Sequence, residues 1–195
     1  LWERTTVHAP TPRAFNNLAV AYLREKRYDE AVKAAGRSLE LDPSFVDAYN
    51  TLGAAYHDIG LYDRSIGAFE KAVFFSGGRA YKSLMNLAAL YSLRGRNGEA
   101  LNIYGKVIKM APWLDAAHYN MGLTLAAMGR DDEALRALAE SLALNPYNPN
   151  AHRIMGRILE KKGDRAGAAK AYAALLSLEP SDVEAAAYLA RGGAR

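Results

Sequence analysis

The chain has 195 residues, half of them apolar, with 24% charged residues and a formal net charge of +4. That composition gives a soluble chain ample core material, and Lys and Arg alternate with Asp and Glu rather than forming the basic stripe of a dedicated nucleic-acid binder. The absence of cysteine excludes disulfides, thiolate metal sites and a cysteine nucleophile, and no apolar run is long enough to span a bilayer.

Taken from the start, residues 1–11 read as the end of an earlier helix. The second helix that follows in the first unit carries the small residues Ala34, Ala35 and Gly36, and Trp2 is expected to fill the space they leave. Thr11-Pro12 then offers an N-cap followed by proline in the first turn, as Asn148-Pro149 does later. From there one text recurs. Gly60, Gly95, Gly129 and Gly163 are spaced 35, 34 and 34 residues apart, and Pro112, Pro146 and Pro180 lie 34 apart. Each glycine falls where a first helix must stop, and each proline falls where a second helix cannot continue. Lys26 stands in the place of the first glycine, which requires a left-handed lysine there.

Between these marks run columns of like residues. Ala19, Gly53, Ala88, Gly122 and Gly156 form one small-residue column, and Ala31, Ser65, Ala100, Ala134 and Ala168 form another. Two helices approach closely only where side chains are small, so these columns mark the crossing within each helix pair. Large apolar residues at spacings of three and four, such as Leu18, Leu52, Leu87, Met121 and Met155, complete the buried face. Five units result: 12–45, 46–80, 81–114, 115–148 and 149–182. Ser181 and Glu184 suggest a capping box for a last helix, 183–191, that covers the fifth unit.

Two places depart from the pattern. Ser76-Gly77-Gly78 replaces the usual Asp-Pro with one residue added, and Phe74 before it is expected to fold back over the longer turn, with an exposed contact as the alternative. Trp113 and Tyr147, each after a turn proline, are expected to pack onto the next helix, with a pair of exposed aromatics that extends a contact surface as the alternative.

Along almost its whole length this pattern resembles the tetratricopeptide repeat family, which recurs at this period with these small residues and turns. The resemblance implies an all-α fold, a right-handed superhelix of stacked antiparallel helix pairs, with five repeats and a C-terminal capping helix in a single solenoid. It further implies that partner peptides lie against the first helix of each pair. On that face stand Asn17, Asn50, Met85, Asn86, Leu93, Tyr119, Asn120, Leu123, Arg153 and Arg157, which are the candidate peptide-binding residues. The neighbouring positions Asn16, Thr51, Ala54, His57, Asp58, Ala89, Ile154 and Lys161 share the face.

Asn17, Asn86 and Asn120 share one column, and an amide both donates to and accepts from a peptide backbone. The row is similar to the asparagine ladder of the O-linked N-acetylglucosamine transferases, although Thr51 and Ile154 interrupt it and asparagine is also the family's commonest residue there. The Lys and Asn arrangement that holds Hsp70 and Hsp90 tails is not matched, since Asn16 and Val20 occupy those places. The opening stretch, Leu1-Trp2-Glu3-Arg4 with Pro10, Arg13-Ala14 and Asn17-Leu18-Ala19, is similar to bacterial transmembrane O-mannosyltransferase-type proteins. That resemblance implies an extracytoplasmic tail attached to an upstream membrane region, with a cytoplasmic chain as the alternative.

Catalytic chemistry finds no constellation. His118 and His152 share a column with Phe15, Tyr49 and Leu84 that packs between helices, and no Asp, Glu or His recurs beside them at ligand spacing. Gly77-Gly78 lacks the Lys-Ser/Thr of a phosphate loop. The sequence therefore points to a non-catalytic scaffold without cofactor or metal, whose partner is a protein or peptide. It points to no specific nucleic acid and no membrane insertion by this stretch itself, and says nothing of oligomeric state. The alternative is a substrate-presenting domain of a membrane glycosyltransferase whose catalytic part lies upstream.

Overall fold

The structure, a computed structural model, describes residues 11–192. Trp2 and the stretch that carries the mannosyltransferase resemblance up to Pro10 lie outside the described residues. Those residues form eleven helices and no strand: α1 (Pro12–Arg24), α2 (Tyr28–Leu41), α3 (Val46–Asp58), α4 (Tyr62–Phe75), α5 (Tyr81–Leu93), α6 (Asn97–Met110), α7 (Asp115–Ala127), α8 (Asp131–Leu144), α9 (Pro149–Lys161), α10 (Arg165–Leu178) and α11 (Val183–Ala190). They fall into two compact units, the first ending at Arg94 and the second beginning at Gly95.

In the first unit α1 pairs with α2 and α3 with α4. The pairs stack through α2 on α3 and α4 on α5, and α1 also touches α3. In the second unit α7 pairs with α8 and α9 with α10, α6 packs on α7, and α11 lies on α10. No helix among the described residues is long and apolar enough to cross a membrane.

The turns follow from backbone chemistry. Gly60 adopts φ 78°, which lets the Leu61 N–H reach back to the Tyr56 carbonyl at 2.8 Å and satisfy a helix-end acceptor. Lys26 does the same work at φ 59°, with the Arg27 N–H 2.9 Å from the Tyr22 carbonyl. It is the one side-chain-bearing residue with positive φ among those described, as its place in the pattern requires. At the helix starts, Thr11 accepts from the Ala14 N–H at 3.1 Å and Asn148 from the Ala151 N–H at 3.2 Å.

Each close crossing uses the small-residue column. A Cβ on Gly53 would stand 2.6 Å from the Phe69 ring, one on Gly122 2.8 Å from Leu138, and one on Gly156 2.8 Å from the Tyr172 ring. A missing side chain on the first helix thus makes room for a large one on the second. Around Leu138 gather Leu125, Ala134, Ala151 and Ile158; around Tyr172 gather Ala168, Leu175, Ala185 and Tyr188. The Tyr172 and Tyr188 rings lie 4.8 Å apart, so α11 closes the end of the second unit with an aromatic contact.

Three expectations are corrected. The cap of α11 is Asp182 rather than Ser181: its carboxylate accepts the Ala185 N–H at 2.8 Å, while Glu184 turns to Arg157. Phe74 does not fold over its turn and is 77% exposed, because Phe75 already occupies the stack against Tyr49. Trp113 and Tyr147 are 69% and 77% exposed rather than packed onto the next helix.

Candidate functional site

The first helices of the pairs carry two kinds of polar residue at adjacent positions. One kind binds neighbouring helices together. Asn16 is buried, and its side-chain oxygen accepts from the Thr51 hydroxyl at 2.7 Å, so α1 and α3 are joined here rather than open to a ligand. Asn50 repeats the arrangement one step on, accepting from the Ser83 hydroxyl of α5 at 2.7 Å. A 100° step around the helix separates Asn16 from Asn17, which is only half-buried, and Asn50 from buried Thr51.

The other kind stays available. In the first unit, Ala54, His57 and Asp58 of α3 face Asn86, Ala89, Leu90 and Leu93 of α5 across a cavity of about 210 Å³. Its floor is Phe69 of α4, whose ring reaches this place only because residue 53 is glycine. Asn86 is exposed and Leu93 is 59% exposed. His57 Nδ1 lies 3.2 Å from Asp58 Oδ1, and its ring meets Tyr62 edge-on at 5.9 Å. The cavity has apolar walls, an amide at one side and an imidazole–carboxylate pair at the other. Such a site seats an apolar side chain and hydrogen-bonds the backbone that carries it. Of the sequence candidates, Asn86 and Leu93 meet here, while Met85 is half-buried on the same helix. Phe69 and Leu90 were not foreseen; the opposition of Gly53 to a large residue in the paired helix was the available signal.

The second unit arranges its inward residues differently. Tyr119, Asn120 and Leu123 of α7 are half-buried, and Tyr119 packs against the cluster around Leu138. Burial pushes the Tyr119 phenol up from its ordinary range, and the nearby Arg153 guanidinium opposes that shift. Arg153 itself is held by Glu179 at 2.5 Å and Asp182 at 2.9 Å, with a further bond to Asn150 at 2.5 Å. Arg157 is held by Glu184 through two bonds, at 2.7 and 2.5 Å, and Lys161 by Asp131 at 2.6 Å. The basic side chains of the fifth unit's first helix, Arg153, Arg157 and Lys161, are therefore matched by carboxylates. His152, also of α9, bonds the Pro146 carbonyl at 3.0 Å, as Tyr49 in the same column donates to the Pro43 carbonyl at 3.0 Å. Among the described residues no three His, Cys, Asp or Glu side chains are grouped to hold a metal ion.

Family profiles described as tetratricopeptide repeat match residues 12–45, 46–73, 93–158 and 154–194. The chain is made of tetratricopeptide repeats. It is 32% identical over 106 residues to the uncharacterized protein ycf37 of Cyanophora paradoxa, a match that covers 52% of this chain. The chain spans 61% of that protein's length and smaller shares of the next relatives. Among solved structures it is similar to MamA, at 23% identity and TM-score 0.77 over 89% of this chain and 94% of that one. It is also similar to YrrB, described as a TPR protein with an unusual peptide-binding site, at 21% identity and TM-score 0.76 over 94% and 95% of the two chains. At these identities the structures share the repeat fold. Repeats of this kind make a protein-interaction scaffold, and nothing in the comparisons points to enzymatic activity.

Proposed function

We propose that the first unit binds an extended peptide segment of a protein partner along α3 and α5. One apolar side chain enters the cavity over Phe69, and Asn86 bonds the peptide backbone beside it. The observation that carries this reading is the cavity itself: about 210 Å³ of largely apolar space, open beside an exposed Asn86 and an exposed Leu93. A side chain the size of leucine, methionine or phenylalanine fits that space, and burying one contributes about 2 kcal/mol. YrrB, whose fold this chain shares, is described by its peptide-binding site, which supports a peptide ligand for such a surface. The half-buried Asn17 extends the candidate surface of the first unit, and Tyr119, Asn120 and Leu123 remain candidates within the second unit by itself, whereas Asn50, Arg153 and Arg157 already bond neighbouring helices of the chain.

The test is a random peptide display selection on the intact chain. The selected peptides share one recurring apolar position, and Ala89→Trp, which fills the cavity from its exposed rim, abolishes their binding without lowering the melting temperature. Asn86→Ala weakens it about fivefold, the loss of one net hydrogen bond. Peptides that bind Ala89→Trp as well as the native chain overturn the reading.

A further inference from the structure

We propose that residues 1–10 of this chain close the first unit, with the Trp2 indole seated in the groove between α1 and α2. The groove is lined by Phe15, Leu18 and Tyr22 of α1 and by Ala34 of α2, and holds about 260 Å³. Glu30, Lys33 and Arg37 of α2 form its rim. It shares no residue with the cavity over Phe69, so the two surfaces are separate.

The repeat register says what this groove lacks. Phe15, Leu18 and Tyr22 stand in the same three columns as Leu84, Leu87 and Tyr91 of α5. On α5 all three are buried, at 5%, 4% and 7% exposure, and the preceding helix α4 packs on it. On α1 the three are only half-buried. Later first helices receive the same cover, from α2 on α3, α6 on α7 and α8 on α9. A single repeat cannot bury its large apolar column alone, so α1 calls for one more apolar contribution. The Arg27 guanidinium lies 4.4 Å from the Tyr22 ring centre and closes that end, which puts the seat at Phe15, Leu18 and Ala34. Of the three small residues that point to Trp2 in the sequence, Ala34 alone lines the groove, while Ala35 is fully buried.

Reach and side-chain size select the occupant. Leu1, Trp2 and Val7 are the large apolar residues of the segment, and Trp2 has the most surface to bury. Nine positions separate it from Thr11, the cap of α1. A run of that length spans about 14 Å as a helix and about 30 Å when extended. Phe15 lies in the first turn of α1 and Leu18 about 5 Å further along, so either form reaches the seat. The tether also favours this segment over a second copy. A short linker holds its end at a roughly millimolar effective concentration, far above that of a free chain in dilute solution.

The experiment reads two fluorophores in the intact chain. Trp113→Phe leaves Trp2 as the only tryptophan, and Trp113, 69% exposed, is the red-emitting reference in Trp2→Phe. Trp2 emission is blue and several-fold less open to acrylamide than in urea, and Leu18→Asn shifts it to the red while helix dichroism stays native. Because the chain has no cysteine, Lys33→Cys on the exposed rim takes a single bimane label, which tryptophan quenches only at close range. The label is several-fold dimmer with Trp2 in place than in Trp2→Phe, at every dilution. A red, freely quenched Trp2 overturns the proposal, as does a label equally bright in both chains. Trp2 emission that ignores Leu18→Asn puts the indole elsewhere and also overturns it. Quenching that fades on dilution, or that arises when labelled Trp2→Phe chain is mixed with unlabelled chain, assigns the groove to a second copy and likewise refutes it.

Discussion

The inward faces of the two units are built on the same register and do opposite things with it. In the first, α3 and α5 leave His57, Asp58, Asn86 and Leu93 around a cavity whose polar groups remain at its rim. In the second, α9 presents Arg153 and Arg157 at the register positions of Met85 and Ala89, and Glu179, Asp182 and Glu184 take up both guanidinium groups. All three acids lie on the last turn and on α11, the short helix that closes the stack. The repeat thus dictates where a side chain points, while the next element along the chain decides whether that side chain is still available. A groove read from the repeat alone overstates the second unit and understates the first.

The largest expected effect tests the cavity floor. Gly53→Ala places a methyl group 2.6 Å from the Phe69 ring, which must move from a close-packed setting. Overpacking of this kind costs about 2 kcal/mol, seen as a lower urea midpoint, and displaces the floor so that selected peptides bind less well. Gly36→Ala is the control: among the described residues no atom outside its own helix backbone lies within 4 Å of the added group, and the helix interior gains about 1 kcal/mol of stability. Equal effects from the two substitutions would remove the packing explanation of the small-residue column.

Asp182→Asn tests the closed face. Asparagine still caps α11, so the change isolates the charge facing Arg153. Bonds from the Ala185 N–H and from Arg153 hold the Asp182 carboxyl below the ordinary carboxylate range. A group with a depressed folded pKa adds stability that is fully present above its unfolded value. That stability is lost as pH falls through the folded one. The native chain therefore loses the contribution of this site below about pH 4, whereas Asp182→Asn lacks it at neutral pH and melts more nearly alike at pH 7 and pH 3. Adding Glu179→Gln and Glu184→Gln raises the formal charge from +4 to +7 and frees Arg153 and Arg157. The triple variant is expected to elute later from heparin than the native chain. Unchanged elution would show that the acids do not mask the face.

Most of the fold was legible because it rests on local rules repeated several times. Gly60, Gly129 and the turn prolines end helices wherever they occur, and Lys26 was readable as a left-handed residue because four glycines elsewhere defined its place. The site was less legible. Asn16 and Asn17 are neighbours of the same type, yet one is sealed by a hydroxyl 35 positions away and the other is not. Arg153 looked free because its partners follow 26 and 29 positions later. Phe74 looked ready to fold back because the sequence does not show that Phe75 takes the seat on Tyr49. In each case the deciding contact is tertiary and particular to one repeat, so periodicity carries no record of it.

Lys26 offers a smaller effect that sharpens the first unit's side of the comparison. Its φ of 59° is strained for any residue with a Cβ, and Lys26→Gly is expected to raise stability by about 1 kcal/mol without touching the cavity. Thermal melting checks it, and peptide affinity is expected to stay constant.

The smallest effect is expected at Ser141, in the second unit. Its hydroxyl is fully buried and has no hydrogen-bond partner, although Ser38, at the corresponding position of the first unit, donates to the Pro12 carbonyl at 2.7 Å. The same residue type is satisfied at one end of the register and stranded further along among the described residues. A stranded hydroxyl costs free energy that alanine removes, while the lost oxygen leaves only a small void. Ser141→Ala is therefore expected to be neutral or to stabilise by up to about 1 kcal/mol, and Ser38→Ala to destabilise by about the same amount. Parallel urea titrations of the two variants decide it. Equal losses at both positions would mean that Ser141 has a partner after all, and that the two units match at this position.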